Sequence, residues 1–400
     1  MKIGVIKEGK IPPDRRVPLS PAQCKVVNDQ PGVEIVVQKS DIRKFSDAQY
    51  TSEGIDLVDS VSDCDVLIGV KEVPEEQLIP NKKYLFFSHT FKEQRYNREL
   101  LKAVLEKNIQ LIDWEAITNS RGQRLIAFGR YAGIVGTYNA FLGYGLKYSR
   151  YFLKRAYECE DRAEMEAQLI NIDLPSDFKL VLTGTGRVGT GSLEVLRKLG
   201  IRNVKPEEFL LDNFSEPVYT QLGVGQYNKT KNGEKFDKQM FYQDPSGFDS
   251  DFLKYACEAD MYVACHYWDS NAPFIFSREE VKNPKWKVSV IADISCDIDC
   301  AVASTVRPST IASPFYGYDP VTEKEVDFMD EGAIGVMAVD NLPCELPKDA
   351  SVDFGEMFIE HVLEPLKGND PEDIIWRASE TKDGALTPHF NYLEDYVNGG

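Results

Sequence analysis

Apolar residues come in short runs separated by polar, turn-forming stretches, and the spacing of those runs predicts the elements. Strands are expected at residues 2–6, 33–37, 65–70, 84–88 and 109–113. Runs this short with polar borders suit strands buried in a parallel sheet. Residues 94–107 switch to helical spacing. Residues 7–21 are polar and proline-rich, and Ser20 is suited to cap a helix with Pro21 at its first position. Residues 127–157 read as a long helix with small residues on one side, and 159–175 as a charged, exposed excursion. Further strands are expected from Phe178, before Asp212, and at 260–265, 286–291 and 337–339. Helices are expected at 192–200, 251–257 and 350–367, the last broken near Pro365, while 223–247 is polar and irregular.

Strands alternating with helices imply an α/β protein, and 400 residues suit two domains. The expected architecture is two doubly wound, Rossmann-like domains with a cleft between them. Residues 1–133 with 341–400 form a discontinuous substrate domain, and 134–340 a dinucleotide-binding domain. The C-terminal stretch is too small to stand alone, so it returns to pack on the first domain.

One stretch carries a mechanism. The apolar run Leu180-Val-Leu-Thr ends in Gly184-Thr-Gly186-Arg187-Val188-Gly189 and continues into a helical pattern. In a strand–turn–helix setting the first glycine permits the tight turn. The second lets a pyrophosphate approach the backbone, and the third lets helix and strand pack closely. Arg187 and Val188 lie inside that turn and join the expected cofactor set. The alternative, a glycine-rich turn with no ligand, is the weaker reading given these flanks. Such folds place a ribose-binding acid about 20 residues further on. Asp212 is the candidate, with Glu207 and Glu208 as rivals. No arginine follows Asp212 directly, which leans toward NAD over NADP. Asp293, at another strand tip, is a further cofactor candidate or else a turn aspartate.

Ligands of open parallel sheets bind beyond the carboxyl ends of the strands. Those ends carry Lys71-Glu72, Ser88-His89 and Asp113-Trp-Glu115. A lysine near carboxylates and a partly desolvated histidine are both tunable toward neutral pH, so the edge can hold acid–base machinery. Taken singly, Lys71 is as readily a solvated strand-end lysine and His89 a capping or core histidine; their shared edge favours function. Arg16 follows the first strand and suits a two-pronged grip on a carboxylate, or a surface ion pair. His266 and His361 are assigned no catalytic role.

The net charge of −18 argues against nucleic acid and anionic membrane surfaces as partners. Eight scattered cysteines fit reduced thiols in a cytoplasm, and no spacing matches a metal site. Residues 1–6 are too brief an apolar run for a signal peptide.

Several pieces, in this order along nearly the whole chain, resemble one family. They are Lys7-Glu8…Arg16-Val-Pro-Leu-Ser-Pro21, Val70-Lys-Glu-Val-Pro74, Phe86-Phe-Ser-His89-Thr, Ala127-Phe-Gly, Thr183-Gly-Thr-Gly186, Ala292-Asp-Ile-Ser-Cys-Asp297 and Asp340-Asn-Leu-Pro343…Leu346-Pro. They look like the lysine-forming saccharopine dehydrogenases and the lysine–2-oxoglutarate reductase domains of bifunctional enzymes, within the alanine dehydrogenase and transhydrogenase fold group. The resemblance implies reversible reductive amination of a 2-oxo dicarboxylic acid by an amino acid's amine, with NAD or NADP as hydride carrier. It implies Lys71 and His89 as the acid–base pair, Glu72 and Glu115 near them, and Arg16 on a substrate carboxylate. Gln94, Arg124 and Phe128 match further substrate-side or nicotinamide-side positions. An alanine dehydrogenase-like enzyme and a catalytically silent nucleotide-binding protein are the rival readings; an oligomer is compatible with either.

Overall fold

A computed structural model describes residues 1–399, which divide into two compact units: Met1–Phe128 with the stretch from Pro347 onward, and Gly129–Leu346. The chain passes into the second unit at Phe128/Gly129 rather than 133/134, because the helix Gly129–Lys147 starts there without a break. It returns at Leu346/Pro347 rather than 340/341, where the helix Pro347–His361 begins.

The first unit is built on β1 (Lys2–Val5), β2 (Glu34–Gln38), β3 (Asp56–Val58), β4 (Val66–Ile68), β5 (Lys83–Phe86) and β6 (Gln110–Asp113). All pairings are parallel and the order is β3-β2-β1-β4-β5-β6. The chain therefore reverses its direction of travel across the sheet between β1 and β4, the switch point at which open α/β sheets bind ligands. Both faces are covered. On one, Pro21–Asn28 and Pro347–His361 pack over a core that includes Val27, Ile35, Trp114, Phe354 and Phe358. On the other, Arg98–Glu106 buries Leu100 and Val104 against Tyr84, Phe86 and Leu111. Ser20 caps the Pro21–Asn28 helix through a capping box with Gln23, with Pro21 opening it. The helix foreseen from Gln94 begins only at Arg98; short 3₁₀ turns precede it.

The second unit holds β7 (Lys179–Thr183), β8 (Arg202–Asn203), β9 (Val218–Leu222), a separate hairpin of β10 (Asn228–Thr230) and β11 (Phe248–Ser250), then β12 (Met261–Ala264), β13 (Val290–Asp293), β14 (Phe315–Asp319), β15 (Lys324–Val326) and β16 (Ile334–Met337). Its main sheet runs β15-β14-β16-β13-β12-β7-β9-β8, parallel except that β14 runs antiparallel to both β15 and β16. The helices Gly129–Lys147 and Arg187–Lys198 cross at backbone contact. A Cβ at Gly133 would lie 1.9 Å from the Val188 carbonyl oxygen, and one at Gly191 1.9 Å from that of Arg130. Back in the first unit from Pro347, the chain closes with β17 (Thr381–Lys382) and β18 (Ala385–Leu386). Among the described residues, no helix is long and apolar enough to cross a membrane.

Candidate active site

Strand register decides which side chains meet. Val5 lies level with Ile68, Ile68 with Leu85, and Phe86 with Asp113. Residues just beyond these tips therefore share the carboxyl edge of the first sheet. There stand Glu8 and Arg16 after β1, Lys71 and Glu72 after β4, His89 after β5 and Glu115 after β6.

Lys71 follows β4 at the switch point. Its backbone N–H donates to Glu8 Oε2 at 2.9 Å, and the Val70 N–H donates to Glu8 Oε1 at 2.7 Å. Its ammonium makes no salt bridge among the described residues. Burial, and then the Arg16 charge, push its pKa below the usual lysine range. Glu72 accepts from Lys10 Nζ at 2.7 Å through Oε2, while Oε1 lies 2.8 Å from His89 Nδ1. These partners outweigh desolvation and lower the Glu72 carboxyl to about 2. A carboxylate only accepts, so Nδ1 carries the hydrogen and Nε2 is left as the exchanging nitrogen. His89 itself sits at φ 55°, left-handed, with its ring stacked against Phe87. Glu115 lies 2.8 Å from Lys92 and 3.1 Å from exposed Arg124. Although burial opposes it, the charge of Arg124 and the contact with Lys92 keep its carboxyl below the usual range. Gln94 accepts from the Tyr96 hydroxyl.

Arg16 is buried. Nε and one terminal nitrogen donate to the two oxygens of Asp14 at 3.0 and 2.6 Å, and the guanidinium lies 4.1 Å over the Phe128 ring. Phe128 is in turn stacked on Phe354 at 4.5 Å. Burial works against ionisation of Asp14, but the guanidinium more than offsets it and holds the carboxyl well below its usual range.

Two participants escaped the pattern of runs: Asp14, hidden in the proline-rich loop, and Glu8 as a titrating group. Burial and then the Asp14 charge raise Glu8 to about 8, against the two N–H bonds it accepts. Its folded pKa stands above the unfolded value, so the folded state holds this proton between the ordinary glutamate range and about pH 8. Its stabilising contribution is complete below that range and is lost as pH rises to about 8. Glu8→Gln is expected to flatten thermal stability between pH 5 and 8 (roughly the window set by the two values), as scanning calorimetry across that range will read.

In the second unit, Thr183 is level with Leu222 and with Ala264, so the turn after β7 opens on the carboxyl edge. Gly184 has φ 98°, and a Cβ there would meet the Cys265 carbonyl oxygen at 2.3 Å. A Cβ at Gly189 would meet the Gly184 carbonyl oxygen at 2.4 Å. Gly186 is different: it caps the Arg187–Lys198 helix and a Cβ would meet nothing within 4 Å. Two glycines thus serve the turn's own packing, and the third leaves backbone approachable at a helix N-terminus, which fits a pyrophosphate. Arg187 is exposed and Val188 half-buried in the first helical turn.

Two expected cofactor residues need correction. Asp212 is the exposed C-cap of a helix, Pro206–Leu211, not the tip of a strand. Its carbonyl accepts from Lys179 Nζ, at the start of β7. That is the sheet's amino edge, about 16 Å from the glycine turn at strand rise. Glu207 and Glu208 lie in the same helix. The true neighbour of β7 is β9, followed by Gly223-Val-Gly-Gln226, and residues 221–233 contain no carboxylate. The ground for preferring NAD to NADP goes with it. Asp293 does stand at a strand tip, but it accepts from Ser295 Oγ at 2.6 Å and Thr305 Oγ1 at 2.7 Å, one on each oxygen. It holds its own turn.

Residues 4–135 match the family model for the alanine dehydrogenase/PNT N-terminal domain. The chain is 30% identical to an alpha-aminoadipic semialdehyde synthase of Arabidopsis thaliana over 98% of its own length and 41% of the relative's. It is 25% identical to a saccharopine dehydrogenase [NAD(+), L-lysine-forming] of Yarrowia lipolytica, over 92% of this chain and 93% of that one. Among solved structures, an L-alanine dehydrogenase superposes with a TM-score of 0.67 at 16% identity, covering 99% of this chain and 100% of the other. The chain spans less than half the length of the first curated relatives it matches.

Proposed function

We propose that this chain, a homologue of the saccharopine dehydrogenases built on the alanine dehydrogenase and transhydrogenase fold, is an NAD(P)-dependent oxidoreductase interconverting saccharopine with L-lysine and 2-oxoglutarate. The observation that carries this reading is the set at the first sheet's switch point: a lysine of lowered pKa beside a carboxylate that orients a histidine. When bound at the glycine turn, the nicotinamide supplies or takes up the hydride.

The chain's own residues would manage protons. An amine attacks a keto carbon only as the free base, so a base must take the ammonium proton. The carbinolamine oxygen must then leave as water, so an acid must protonate it. Lys71, with its charge disfavoured, is suited to accept a proton near neutral pH and return it. His89, with Nδ1 fixed on Glu72, exchanges at Nε2. Arg16, oriented by Asp14 and Phe128, is our candidate for a substrate carboxylate, with Gln94, Glu115 and Arg124 setting the surroundings. Eight scattered cysteines fit a reducing compartment, in our reading the cytoplasm.

The test is oxidation of NADH and of NADPH by the purified chain with lysine plus 2-oxoglutarate, against ammonia plus pyruvate. Turnover with the first pair alone is expected. Turnover with the second pair alone would replace this reading with an amino-acid dehydrogenase. Turnover with neither, with cofactor still bound, would leave a silent nucleotide-binding protein.

A further inference from the structure

Behind the His89 turn lies a closed polar cluster with too few hydrogens. Ser88 Oγ is 2.6 Å from Thr90 Oγ1, 2.6 Å from Asp113 Oδ2 and 2.8 Å from Glu380 Oε1, and Thr90 Oγ1 is 2.6 Å from Glu380 Oε2. All four residues are fully buried. Four short oxygen–oxygen contacts each call for one hydrogen, and the two hydroxyls provide two. With both carboxyls ionised, two contacts would press lone pairs together away from water, which is costly. One carboxyl proton leaves a single contact uncovered.

We propose that Asp113 and Glu380 share a proton, and that this protonated pair is the clamp holding His89 in its left-handed turn. Glu380 is the better holder. Asp113 accepts the Ser88 and Glu115 N–H groups, both at 2.6 Å, which favour its charge, whereas Glu380 meets only hydroxyls. A proton on Glu380 Oε1 donates to Ser88 Oγ, Ser88 donates to Asp113, and Thr90 donates to Glu380 Oε2. Ser88 and Thr90 flank His89 directly, so the clamp acts on a residue held in the left-handed region. The returning segment reinforces it: the Tyr392 hydroxyl donates to the Phe91 carbonyl at 2.9 Å and the Tyr396 hydroxyl to the Gln94 carbonyl at 2.6 Å. Glu380, Tyr392 and Tyr396 therefore act as positioning residues for the whole 88–94 loop.

Burial raises both carboxyls above their ordinary range, helped at Glu380 by the Asp113 charge and at Asp113 by the Glu115 charge. The titratable groups that act on the pair are Glu115 beside Asp113, and Tyr392, whose hydroxyl feels both carboxyls. Both are acids, so neither favours ionising the pair; Glu93 and the Arg98 guanidinium act on Tyr396, one step removed. The sign follows: the clamp is complete at low pH and weakens as pH rises through the raised value.

The role assigned to His89 in turnover rests on the reading above; the clamp is tested without it. Nuclear magnetic resonance follows the His89 ring across pH in the full chain, its signal identified by loss in His89→Gln. The parent is expected to show, beyond any change from the ring itself, a second inflection as the pair ionises. Glu380→Gln, a permanent donor, should abolish that inflection and keep the low-pH shift, whereas Glu380→Ala should displace the signal at every pH. Thr90→Val, which also breaks the cluster, serves if the alanine variant does not fold. An unchanged His89 signal in the folded variants, or a second inflection surviving in Glu380→Gln, would overturn the proposal. If the parent turns over lysine and 2-oxoglutarate, kcat should fall on the order of 10- to 100-fold in Glu380→Ala, with Glu380→Gln restoring most of it and KM little changed. Absence of turnover in the parent counts against the proposed reaction and leaves the resonance result to judge the clamp.

Discussion

Lys71→Met is expected to lower kcat for lysine and 2-oxoglutarate by about a thousandfold, while NADH and NADPH bind as in the parent. Methionine keeps much of the unbranched stem and removes the amine. The fold should tolerate it, because the ammonium makes no salt bridge among the described residues and Glu8 grips only the backbone N–H of Lys71. Removing a partly buried charge also lifts a desolvation cost, so thermal stability should hold or rise slightly. Steady-state kinetics alongside fluorescence titration of the reduced cofactor separates the effects. A kcat within about threefold of the parent would remove Lys71 from the chemistry, since general acid–base groups contribute on the order of 10²–10⁴. Added small primary amines should restore part of the rate if a free base is what was lost.

The second large effect concerns stability. Gly133→Ala is expected to lower the second unit's unfolding temperature by about 10 °C, from roughly 3 kcal/mol of overpacking. The Cβ would sit 1.9 Å from the Val188 carbonyl oxygen and 2.9 Å from the Ser192 nitrogen. Both are backbone atoms of the Arg187–Lys198 helix, so neither can swing aside as a side chain would. Ser192 Oγ also bonds the Gly133 carbonyl at 3.2 Å, so the helices cannot part without losing that contact. Gly186→Ala is the matched comparison: nothing stands within 4 Å of the added carbon. It should leave the unfolding temperature within about 2 °C, because surface changes stay near ±0.5 kcal/mol, yet weaken dinucleotide binding. Equal melting of the two variants would mean that the close crossing is not what Gly133 serves.

These cases mark what the linear sequence discloses. The glycine turn was legible because a local spacing dictates a local geometry. The edge carrying Lys71, Glu72, His89 and Glu115 was legible because strand tips follow from short apolar runs. The β7 neighbour was misread because Phe209-Leu-Leu211 is apolar enough for a strand. The signals against it were present: Pro206 opens a helix, and Glu207 and Glu208 fall in its first turn, where acids suit the helix N-terminus. The real strand, Val218-Tyr-Thr-Gln-Leu222, has the β-branched and aromatic content that should have been preferred. Strands β3 and β15 are short edge elements whose pairing, more than their composition, defines them. Glu380 was beyond reach for another reason. Its partners lie 290 and 292 positions earlier, and no local spacing encodes such a contact.

That separation sets an order on the birth of the molecule. The second unit is a contiguous stretch lying between the two pieces of the first. At ribosomal speeds of about 5–20 residues per second, roughly 15–60 s pass between synthesis of Thr90 and of Glu380. The nascent chain can complete its dinucleotide fold in that interval, but the His89 turn waits for its last hydrogen-bonding partner. The ordering of the His89 turn by Glu380 therefore comes only after the whole second unit has been made.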